Sequence, residues 1–416
     1  MEIITRRLYA DKVDSWIGKE VIIVLTGQRR VGKSYILKDF IQRHGNDAEA
    51  NVIYVDKEKR KFQYIKNGDQ LGDYIDKHFD ATKHNYILVD EIQDIEGWEQ
   101  PIRSFRTEEK TDIIITGSNS KMLSSELSTL LGGRYQEICV QSLSYLEFLE
   151  FHRLLDNEES LQLFLNYGGL PGLRVIGLSD EEHVWEYLRG VFSTVMLKDV
   201  IERHKIRNIS FLNNLIAFLA DTIGKINSAT SISKYMKSLQ QDVSSNVVLD
   251  YTSYFTEAYL VDAVKRYDIH GKRLLETNQK VYFGDVGLRN LIAGGNREKD
   301  IEKILENVVY QHLRRLGYQV NVGVLRAGEI DFVCTKPNQV KYVQVAYLID
   351  SEDTRNWEFG RLREIKNDYP KYVVSLTPML TSRDFEGITH LSLREFLKNG
   401  LSESHTDYTD PHRFGR

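Results

Sequence analysis

A glycine-rich stretch near the start of the chain has the residue types and spacing that bind phosphate. Residues 27–34 read Gly-Gln-Arg-Arg-Val-Gly-Lys-Ser, which fits the pattern Gly-x-x-x-x-Gly-Lys-Ser/Thr. In this pattern backbone N–H groups surround the phosphates, the lysine reaches the β- and γ-phosphate oxygens, and the hydroxyl ligates Mg²⁺. We therefore expect ATP and ADP to bind here through Gly27, Gln28, Arg29, Arg30, Val31, Gly32, Lys33, Ser34 and Tyr35.

A pair of acids further along the chain supplies the groups that hydrolysis requires. Residues 86–89 are apolar and strand-like, and Asp90 and Glu91 follow them directly. We predict that Asp90 holds Mg²⁺ together with Ser34, and that Glu91 polarises the attacking water as the catalytic base, with Lys33 at the phosphates. An Asp-Glu pair after a strand is ordinarily the solvated start of a loop. The phosphate-binding stretch upstream favours the catalytic interpretation.

A polar run follows the next apolar strand candidate. Residues 113–115 are isoleucines, and Ser118 and Asn119 come shortly after them. Because the carboxyl ends of parallel strands meet at one edge of a sheet, either side chain is placed to contact the γ-phosphate or to position water. The alternative is that one of them caps the helix that comes next. The sequence does not separate Ser118 from Asn119.

Arg134 ends a Leu-Gly-Gly-Arg segment immediately before a strand candidate at residues 136–140. An arginine at this place has three interpretations. It is a sensor of the nucleotide in its own subunit, an arginine finger for the site of a neighbouring subunit, or an ordinary surface residue. The second interpretation requires a homo-oligomer.

The elements that must position these residues alternate between strand and helix. Apolar strand candidates at residues 21–25, 51–55, 86–89 and 112–115 are separated by segments with helical periodicity. This alternation predicts an α/β fold with a parallel sheet and helices on both faces. The phosphate-binding turn then lies between a strand and the N-terminus of a helix, as in a P-loop NTPase.

The rest of the chain divides into further domains. Glycines and a proline break a helical stretch at residues 167–172, and helical periodicity then continues to about residue 260, where a β-hairpin follows. Helices followed by a hairpin predict a winged helix, and the segments after residue 303 predict a second α/β domain. We place the domains at 1–150 (P-loop domain), 151–205 (helical lid), 206–285 (winged helix), 286–401 (last α/β domain) and 402–416 (polar tail).

Composition excludes several classes of protein. With 41% hydrophobic and 28% charged residues, the 416-residue chain is a folded globular protein rather than a disordered one. A formal charge of −5 provides no overall basic field for nucleic acid, and two distant cysteines do not make a disulfide framework. No stretch approaches the ~20 apolar residues that a membrane span requires. We expect a cytoplasmic protein without a membrane partner.

The sequence resembles a known family over nearly the entire chain. The resemblance rests on the candidate site residues named above and on the segments at 115–118 (Ile-Thr-Gly-Ser), 131–134 (Leu-Gly-Gly-Arg) and 167–171 (Tyr-Gly-Gly-Leu-Pro). The family is the bacterial and archaeal AAA-type ATPase family (AAA_14-like) that carries a C-terminal domain of unknown function (DUF4143-like). Residues 280–289 resemble its linker signature. The resemblance implies hydrolysis of ATP with Mg²⁺, a winged helix, and a restriction-endonuclease-like C-terminal domain.

The role of the winged helix stays open. Its second helix, near residues 247–259, has no basic residue, whereas the hairpin carries Lys265, Arg266, Lys272 and Arg273. Contacts to DNA phosphates need such cations, so the hairpin is the candidate surface for double-stranded DNA. Docking of a protein is the alternative.

The resembled nuclease fold implies an acid on a helix, an Asp at the end of a strand, and a Glu-x-Lys on the next strand. Glu306 and Asp331, the latter two residues after Glu329, fit the first two positions, but Gln344 and Ala346 stand where the glutamate and lysine belong. Metal binding and the catalytic cation are both weakened.

Neither of two nearby lysines replaces the missing cation. Lys341 faces the opposite side of its strand, because strand side chains alternate, and Lys366 would have to come from a later helix. We therefore expect a catalytically degenerate domain that serves as a binding platform or a scaffold.

Three functions of different classes are consistent with these patterns. The leading one is an ATPase that couples its nucleotide state to the C-terminal modules, with conformational or motor work as the output. The second is a nucleotide-gated regulatory or assembly protein that hydrolyses ATP slowly. The third is an active metal-dependent nuclease.

Overall fold

The computed structural model describes residues 2–118, 131–294, 297–326, 328–378 and 384–401 of the chain. Within these residues there are two sheets, one of five strands and one of eight. Asn119, a candidate for contact with the γ-phosphate, and the polar tail at 402–416 lie outside the described residues.

The first sheet carries the candidate site. Its strands are all parallel and lie in the order β2-β3-β4-β1-β5. The strand candidates of the sequence are confirmed to within two residues at each end. The strands are β1 Ile22–Thr26, β2 Ala50–Asp56, β3 His84–Asp90, β4 Thr111–Thr116 and β5 Tyr135–Cys139.

Both faces of this sheet are covered, as the alternation of strands and helices predicts. Every residue of β1 is buried, and alternate side chains enter different cores: Ile23 and Leu25 one, Ile22 and Val24 the other. The covering helices are α1 Arg7–Asp14, α2 Lys33–His44, α3 Gly68–His78 and α4 Glu99–Phe105, with short 3₁₀ turns at Arg60–Phe62 and Ile92–Asp94.

A helical region follows the sheet. One of its helices, α8, runs without a break into a π-helix at Val195–Glu202. Among the residues that the structure describes, no helix has the length and apolar character needed to cross a membrane. The helices are α5 Tyr145–His152, α6 Glu158–Tyr167, α7 Leu173–Ile176, α8 Glu181–Thr194, α9 Ile209–Asp221, α10 Ala229–Ser238, α11 Ser245–Glu257 and α12 Val286–Ile292.

The second sheet has the order β12-β13-β11-β10-β9-β8-β6-β7. Its strands are β6 Val261–Asp268, β7 Arg273–Phe283, β8 Gln319–Leu325, β9 Gly328–Lys336, β10 Gln339–Ala346, β11 Lys371–Ser375, β12 Asp384–Phe385 and β13 Ile388–Ser392. The helices α13 Arg297–Arg315, α14 Glu352–Arg363 and α15 Leu393–Asn399 accompany it.

The hairpin expected to form a wing belongs to this second sheet. β6 pairs in parallel with β8, and β7 forms the outer edge. β7 is longer than the sequence suggested because Val281, Tyr282 and Phe283 at its end are buried in the main core. The hairpin is therefore an extension of the C-terminal sheet, and the boundary placed at residue 285 lies between strands of one sheet.

Two glycine-containing turns that are distant in sequence meet inside the molecule. Asp285, which is 1% exposed, accepts hydrogen bonds from the backbone N–H groups of Gly287 (3.0 Å), Leu288 (3.2 Å) and Gly169 (2.9 Å). A Cβ atom on Gly168, whose φ is 74°, would lie 2.3 Å from the Asp285 carboxylate. Only glycine fits there, so the break at 167–172 and the start of α12 are locked together.

Arg6 ties the N-terminal segment to the phosphate-binding turn. Its buried guanidinium donates to the carbonyl oxygens of Val31 (2.9 Å), Gln141 (2.9 Å) and Ser142 (3.2 Å), and to the carboxylate of Glu147 at 2.8 and 3.0 Å. Burial alone would raise the pKa of Glu147, but the charge and hydrogen bonds of Arg6 outweigh burial and hold that pKa at about 2.

The Arg6–Glu147 pair makes part of the stability dependent on pH. Because folding lowers the pKa of Glu147 from 4.5 to about 2, its ionised form stabilises the fold above about pH 4.5, and this contribution is lost as the pH falls towards 2. We expect Glu147→Gln to lower the free energy of unfolding at pH 7 by about 3 kcal/mol, with a smaller difference in acid. Denaturant unfolding at several pH values measures this difference.

The matched control is Glu150→Gln, since Glu150 is exposed on the same helix. Its free energy of unfolding should match that of the unmodified protein at every pH. A Glu147→Gln deficit that stayed constant from pH 7 into acid would contradict the assignment of the ion pair.

Candidate functional site

The turn between β1 and α2 has the backbone shape of a phosphate-binding loop. Gly27, Arg30 and Gly32 have φ angles of 130°, 72° and 99°. A Cβ atom on Gly27 would lie 2.1 Å from the carbonyl oxygen of Val140, so this position accepts only glycine. The glycines of the motif thus let the chain turn sharply at the carboxyl edge of the sheet.

Among the described residues, the backbone N–H groups of this turn have no backbone acceptors. In the described part of the chain, the N–H groups of residues 29–34 donate no backbone hydrogen bond, whereas those of Tyr35 and Ile36 donate to the carbonyl of Gly32. The free groups lie at the N-terminus of α2, where the helix dipole also favours negative charge. This arrangement fits an anion with several oxygens.

The ammonium group of Lys33 lies inside the turn. The side chain is buried, and its Nζ donates to the carbonyl oxygens of Gly27 (2.8 Å) and Gln28 (3.0 Å). Burial lowers the pKa of Lys33, and the neighbouring charges of Glu91 and Asp90 oppose that shift. Among the described residues its hydrogen bonds go to neutral carbonyl oxygens, so an anionic ligand in direct contact would stabilise this buried cation further.

Asp90 ends β3 directly opposite the turn. It is 1% exposed, accepts a hydrogen bond from Thr116 Oγ1 at 2.6 Å, and is also hydrogen-bonded by the hydroxyl of Ser34. Burial raises the pKa of Asp90, and these two hydroxyls counter part of that shift. A hydroxyl and a carboxylate oxygen in contact are the kind of ligands that Mg²⁺ uses beside a phosphate, so Ser34 and Asp90 fit the predicted metal role.

Glu91 has an unusual backbone conformation. Its φ and ψ are both 55°, in the left-handed region, and its N–H donates to Thr116 Oγ1 at 2.9 Å. The amide of Gln93 donates to its carboxylate. The left-handed turn aims Glu91 away from the strand axis and into the same cavity as Lys33. One hydroxyl, that of Thr116, therefore positions both acids.

Ser118 lies at the next strand end and contacts a residue that the sequence did not single out. Its Oγ is 3.5 Å from Asp199 in the π-helix, and both residues are buried. Asp199 also accepts two hydrogen bonds from Arg29, at 2.8 and 2.9 Å, and Arg203 lies 3.6 Å away. These hydrogen bonds raise the pKa of Arg29. The phosphate-binding turn is thus joined to the helical region through Asp199.

A cavity of about 380 Å³ opens from the turn towards the helical region. It is lined by charged and polar side chains, among them Lys33, Ser34 and Glu91, and by apolar side chains from the P-loop domain and the helical region. The apolar residues are Ile4, Ile36, Phe151, Pro171, Val175, Ile176 and Tyr187. The volume and this combination of charged and apolar lining fit a ligand with phosphates and a flat ring system.

The remaining predicted residues lie partly at the cavity and partly away from it. Tyr35 and the exposed Arg30 line the cavity, while Gln28 is buried with its side chain beside Gly284. Arg134 is exposed and precedes β5, and its carbonyl accepts from the N–H of Ile22. It therefore lies at the amino edge of the sheet, roughly 16 Å of strand away from the turn. The structure does not bring it to the site of its own chain.

The basic residues of the hairpin are partly neutralised. Lys265 lies 2.7 Å from Glu276, and Arg273 lies 3.7 Å from Asp268. Arg266 donates to the carbonyl of Thr277. Paired cations contribute less to phosphate contacts than free ones, because the partner must be released first. The hairpin gives no strong argument for DNA.

Two family models match the chain. One, described as an AAA domain, matches residues 19–149, which contain the parallel sheet and the turn. The other, described as a domain of unknown function (DUF8612), matches residues 158–299, which contain most of the helical region and the β6–β7 hairpin. The C-terminal identity expected from the resemblance, DUF4143-like and nuclease-like, stays a prediction.

The chain is also similar to individual proteins. An uncharacterised protein of Haemophilus influenzae is 35% identical over 378 residues, 89% of this chain and 93% of that protein. An uncharacterised protein of Methanocaldococcus jannaschii is 29% identical, over 83% of this chain and 77% of that protein. A solved Walker-type ATPase of Pyrococcus abyssi has a TM-score of 0.50 at 14% identity, over 70% of this chain and 96% of that one. This last likeness supports the fold alone.

The bridging role of Thr116 can be tested by stability. Thr116→Val keeps the volume but leaves the buried carboxylate of Asp90 and the N–H of Glu91 without their partner. We expect it to lower the free energy of unfolding by about 1–3 kcal/mol, measured by denaturant titration. Thr116→Ser, which keeps the hydroxyl, is the matched control and should lose much less. Equal losses in the two variants would contradict the bridge.

Proposed function

The chain belongs to the protein family of the Haemophilus influenzae relative, its N-terminal domain is of the AAA type, and from that premise we propose that it hydrolyses ATP with Mg²⁺. The observation that carries the proposal is the convergence of Lys33, Ser34 and Glu91 on one cavity, with Asp90 hydrogen-bonded to Ser34. These residues come from the end of one strand, β3, and from the N-terminus of one helix, α2. Their types match the parts that phosphoryl transfer to water requires.

The phosphates of ATP would bind the free N–H groups of residues 29–34 and the ammonium group of Lys33. That ammonium now donates to two carbonyl oxygens of the turn, and a phosphate oxygen would be a stronger acceptor. The adenine ring would pack against apolar residues that line the cavity, such as Phe151 and Tyr187. Binding would therefore need both the AAA domain and the helical region.

Hydrolysis would depend on Ser34, Asp90 and Glu91. Ser34 and Asp90 would hold Mg²⁺, which neutralises charge on the phosphates when it is bound. Glu91 accepts the proton of the attacking water as general base. Ser118, whose hydroxyl lies 3.5 Å from Asp199, would contact the γ-phosphate region. The Arg29–Asp199 pair would couple that contact to the helical region. The proposed consequence of hydrolysis is therefore a nucleotide-dependent conformational change.

The proposal predicts different effects for the two central residues. Lys33→Ala should weaken ATP binding roughly 100-fold, because a hydrogen-bonded charge at the phosphates is lost. Glu91→Gln should bind ATP normally but lower kcat by roughly 10²–10³-fold, since the general base is removed. Isothermal titration calorimetry gives the affinities, and a phosphate-release assay with Mg²⁺ gives kcat.

The control for Glu91→Gln is Glu96→Gln, because Glu96 is an exposed acid a few residues further on. It should retain full turnover. Unchanged hydrolysis by Glu91→Gln would refute its role as the base. A wild-type kcat that is low, with tight ATP binding, would favour the alternative of a nucleotide-gated regulatory protein.

We also propose that Arg134 acts between subunits, because it lies at the far edge of its own sheet. An exposed arginine at that edge would have to reach the cavity of a neighbouring copy. This keeps the homo-oligomer as part of the proposal.

Double-stranded DNA is the partner that the resemblance suggested, and the paired hairpin cations make it the weaker part of the proposal. We expect the rate of ATP hydrolysis to change less than about twofold when duplex DNA is added at low salt, where phosphate contacts are strongest. The phosphate-release assay with and without duplex measures this ratio. A large stimulation that Lys272→Ala abolishes would instead establish the hairpin as a DNA surface.

A further inference from the structure

A buried lysine lies at the centre of a cluster of acids in the C-terminal part. Lys280, on β7, is 1% exposed. Its Nζ lies 3.0 Å from Glu306 on α13, 3.0 Å from Glu329 on β9, and 3.4 Å from Asp331 on β9. A lysine ammonium has three N–H donors, and Lys280 donates hydrogen bonds to Glu306 and Asp331 and forms an ion pair with Glu329. None of the predicted functions used this residue.

The charges around Lys280 favour its ionised form. Burial would lower its pKa, but the charges of Glu306, Asp331 and Glu329 outweigh burial, and the pKa lies well above the ordinary value. The hydroxyl of Tyr282, also on β7, donates to Glu306 at 2.5 Å. The cluster is therefore a compact arrangement in which one cation holds three carboxylates from two other elements.

The residues around the cluster do not fit a divalent metal. Both oxygens of Asp331 are engaged, one by Lys280 and the other by the N–H of Val345 at 2.9 Å. Gln344, which stands where an acid was expected, accepts from the N–H of Asp331 at 3.3 Å and donates to Glu358 at 3.2 Å. Across the described ranges of the chain, no group of His, Cys, Asp and Glu side chains is arranged to hold a metal ion.

We propose that Lys280 is the permanent cation of this cluster and takes the place of a divalent metal, so that the C-terminal part is not a metal-dependent nuclease. A cation attached to the chain competes with dissolved Mg²⁺ at a high effective concentration. Its second effect is structural, because β7 is the outer strand of the sheet. The pairing of Lys280 with Glu306 and Asp331 fastens that edge strand to α13 and β9.

The test removes the internal cation and asks whether an external one replaces it. Mn²⁺ is the probe, detected by electron paramagnetic resonance and by thermal unfolding, in an Asp90→Asn background without nucleotide. With Lys280 present, we expect no Mn²⁺ binding that depends on Glu306 and no rise in Tm. Lys280→Ala should have a lower Tm that Mn²⁺ raises, together with a new saturable Mn²⁺ site that a further Glu306→Gln removes.

The matched control is Lys303→Ala. Lys303 lies on the same helix as Glu306 and pairs with Asp221 (3.0 Å) and Asp300 (2.8 Å), but it is partly exposed and has only two carboxylates. Its removal should create no Mn²⁺ site.

Three results would overturn the proposal. The first is Mn²⁺ binding by the protein with Lys280 in place that Glu306→Gln abolishes. The second is plasmid cleavage with Mn²⁺ that Asp331→Asn abolishes, and the third is a folded Lys280→Ala protein that gains no Mn²⁺ site. If Lys280→Ala does not fold even with Mn²⁺, the first comparison decides: equal Mn²⁺ binding with and without Glu306→Gln supports the proposal, and unequal binding overturns it.

Discussion

The buried carboxylate of Asp285 is the contact on which the arrangement of the parts depends. It holds the turn at Gly168 and Gly169 against the start of α12, and the same turn continues to Pro171. A Cβ atom on Gly32 of the phosphate-binding turn would lie 3.7 Å from Pro171. Burial raises the pKa of Asp285 and its backbone hydrogen bonds lower it, with burial the larger effect. One satisfied buried acid thus holds Pro171, which lines the cavity, against the phosphate-binding turn.

The features that sequence predicted well are those set by local chemistry. The glycines at 27 and 32, the apolar strands that precede the turn and Asp90, and the helix that begins at Lys33 are all determined by residue type and spacing over a few positions. Each strand was found because both faces of the sheet are buried, which makes its sequence a continuous apolar run. The parallel order was then implied by the alternation with helices.

The features that sequence missed depend on pairing between distant segments. Nothing near Asp199 or Lys280 in the sequence indicates their partners. Only the fold shows that Asp199 pairs with Arg29 and that Lys280 pairs with three acids. The hairpin was predicted to be a wing because nothing in its sequence indicates that β6 pairs with β8. The positions of Thr116 and Arg134, in contrast, could have been predicted from the sequence. Because the strands are parallel, the hydroxyl at the end of β4 must lie at the carboxyl edge of the sheet, and the arginine before β5 must lie at the amino edge.

The π-helix at Val195–Glu202 has a geometric consequence for the residue that it presents. Its hydrogen bonds span five residues instead of the four of an α-helix, so it holds one residue more per turn than the helix before it. Conversion of this segment to regular α-helix would shift the register of the residues after it by about one position, a rotation of about 100°. Asp199, which lies within the segment, would turn by part of this angle away from Arg29. A small change of hydrogen-bond register in this segment would therefore produce a large rotation of its side chains about the helix axis.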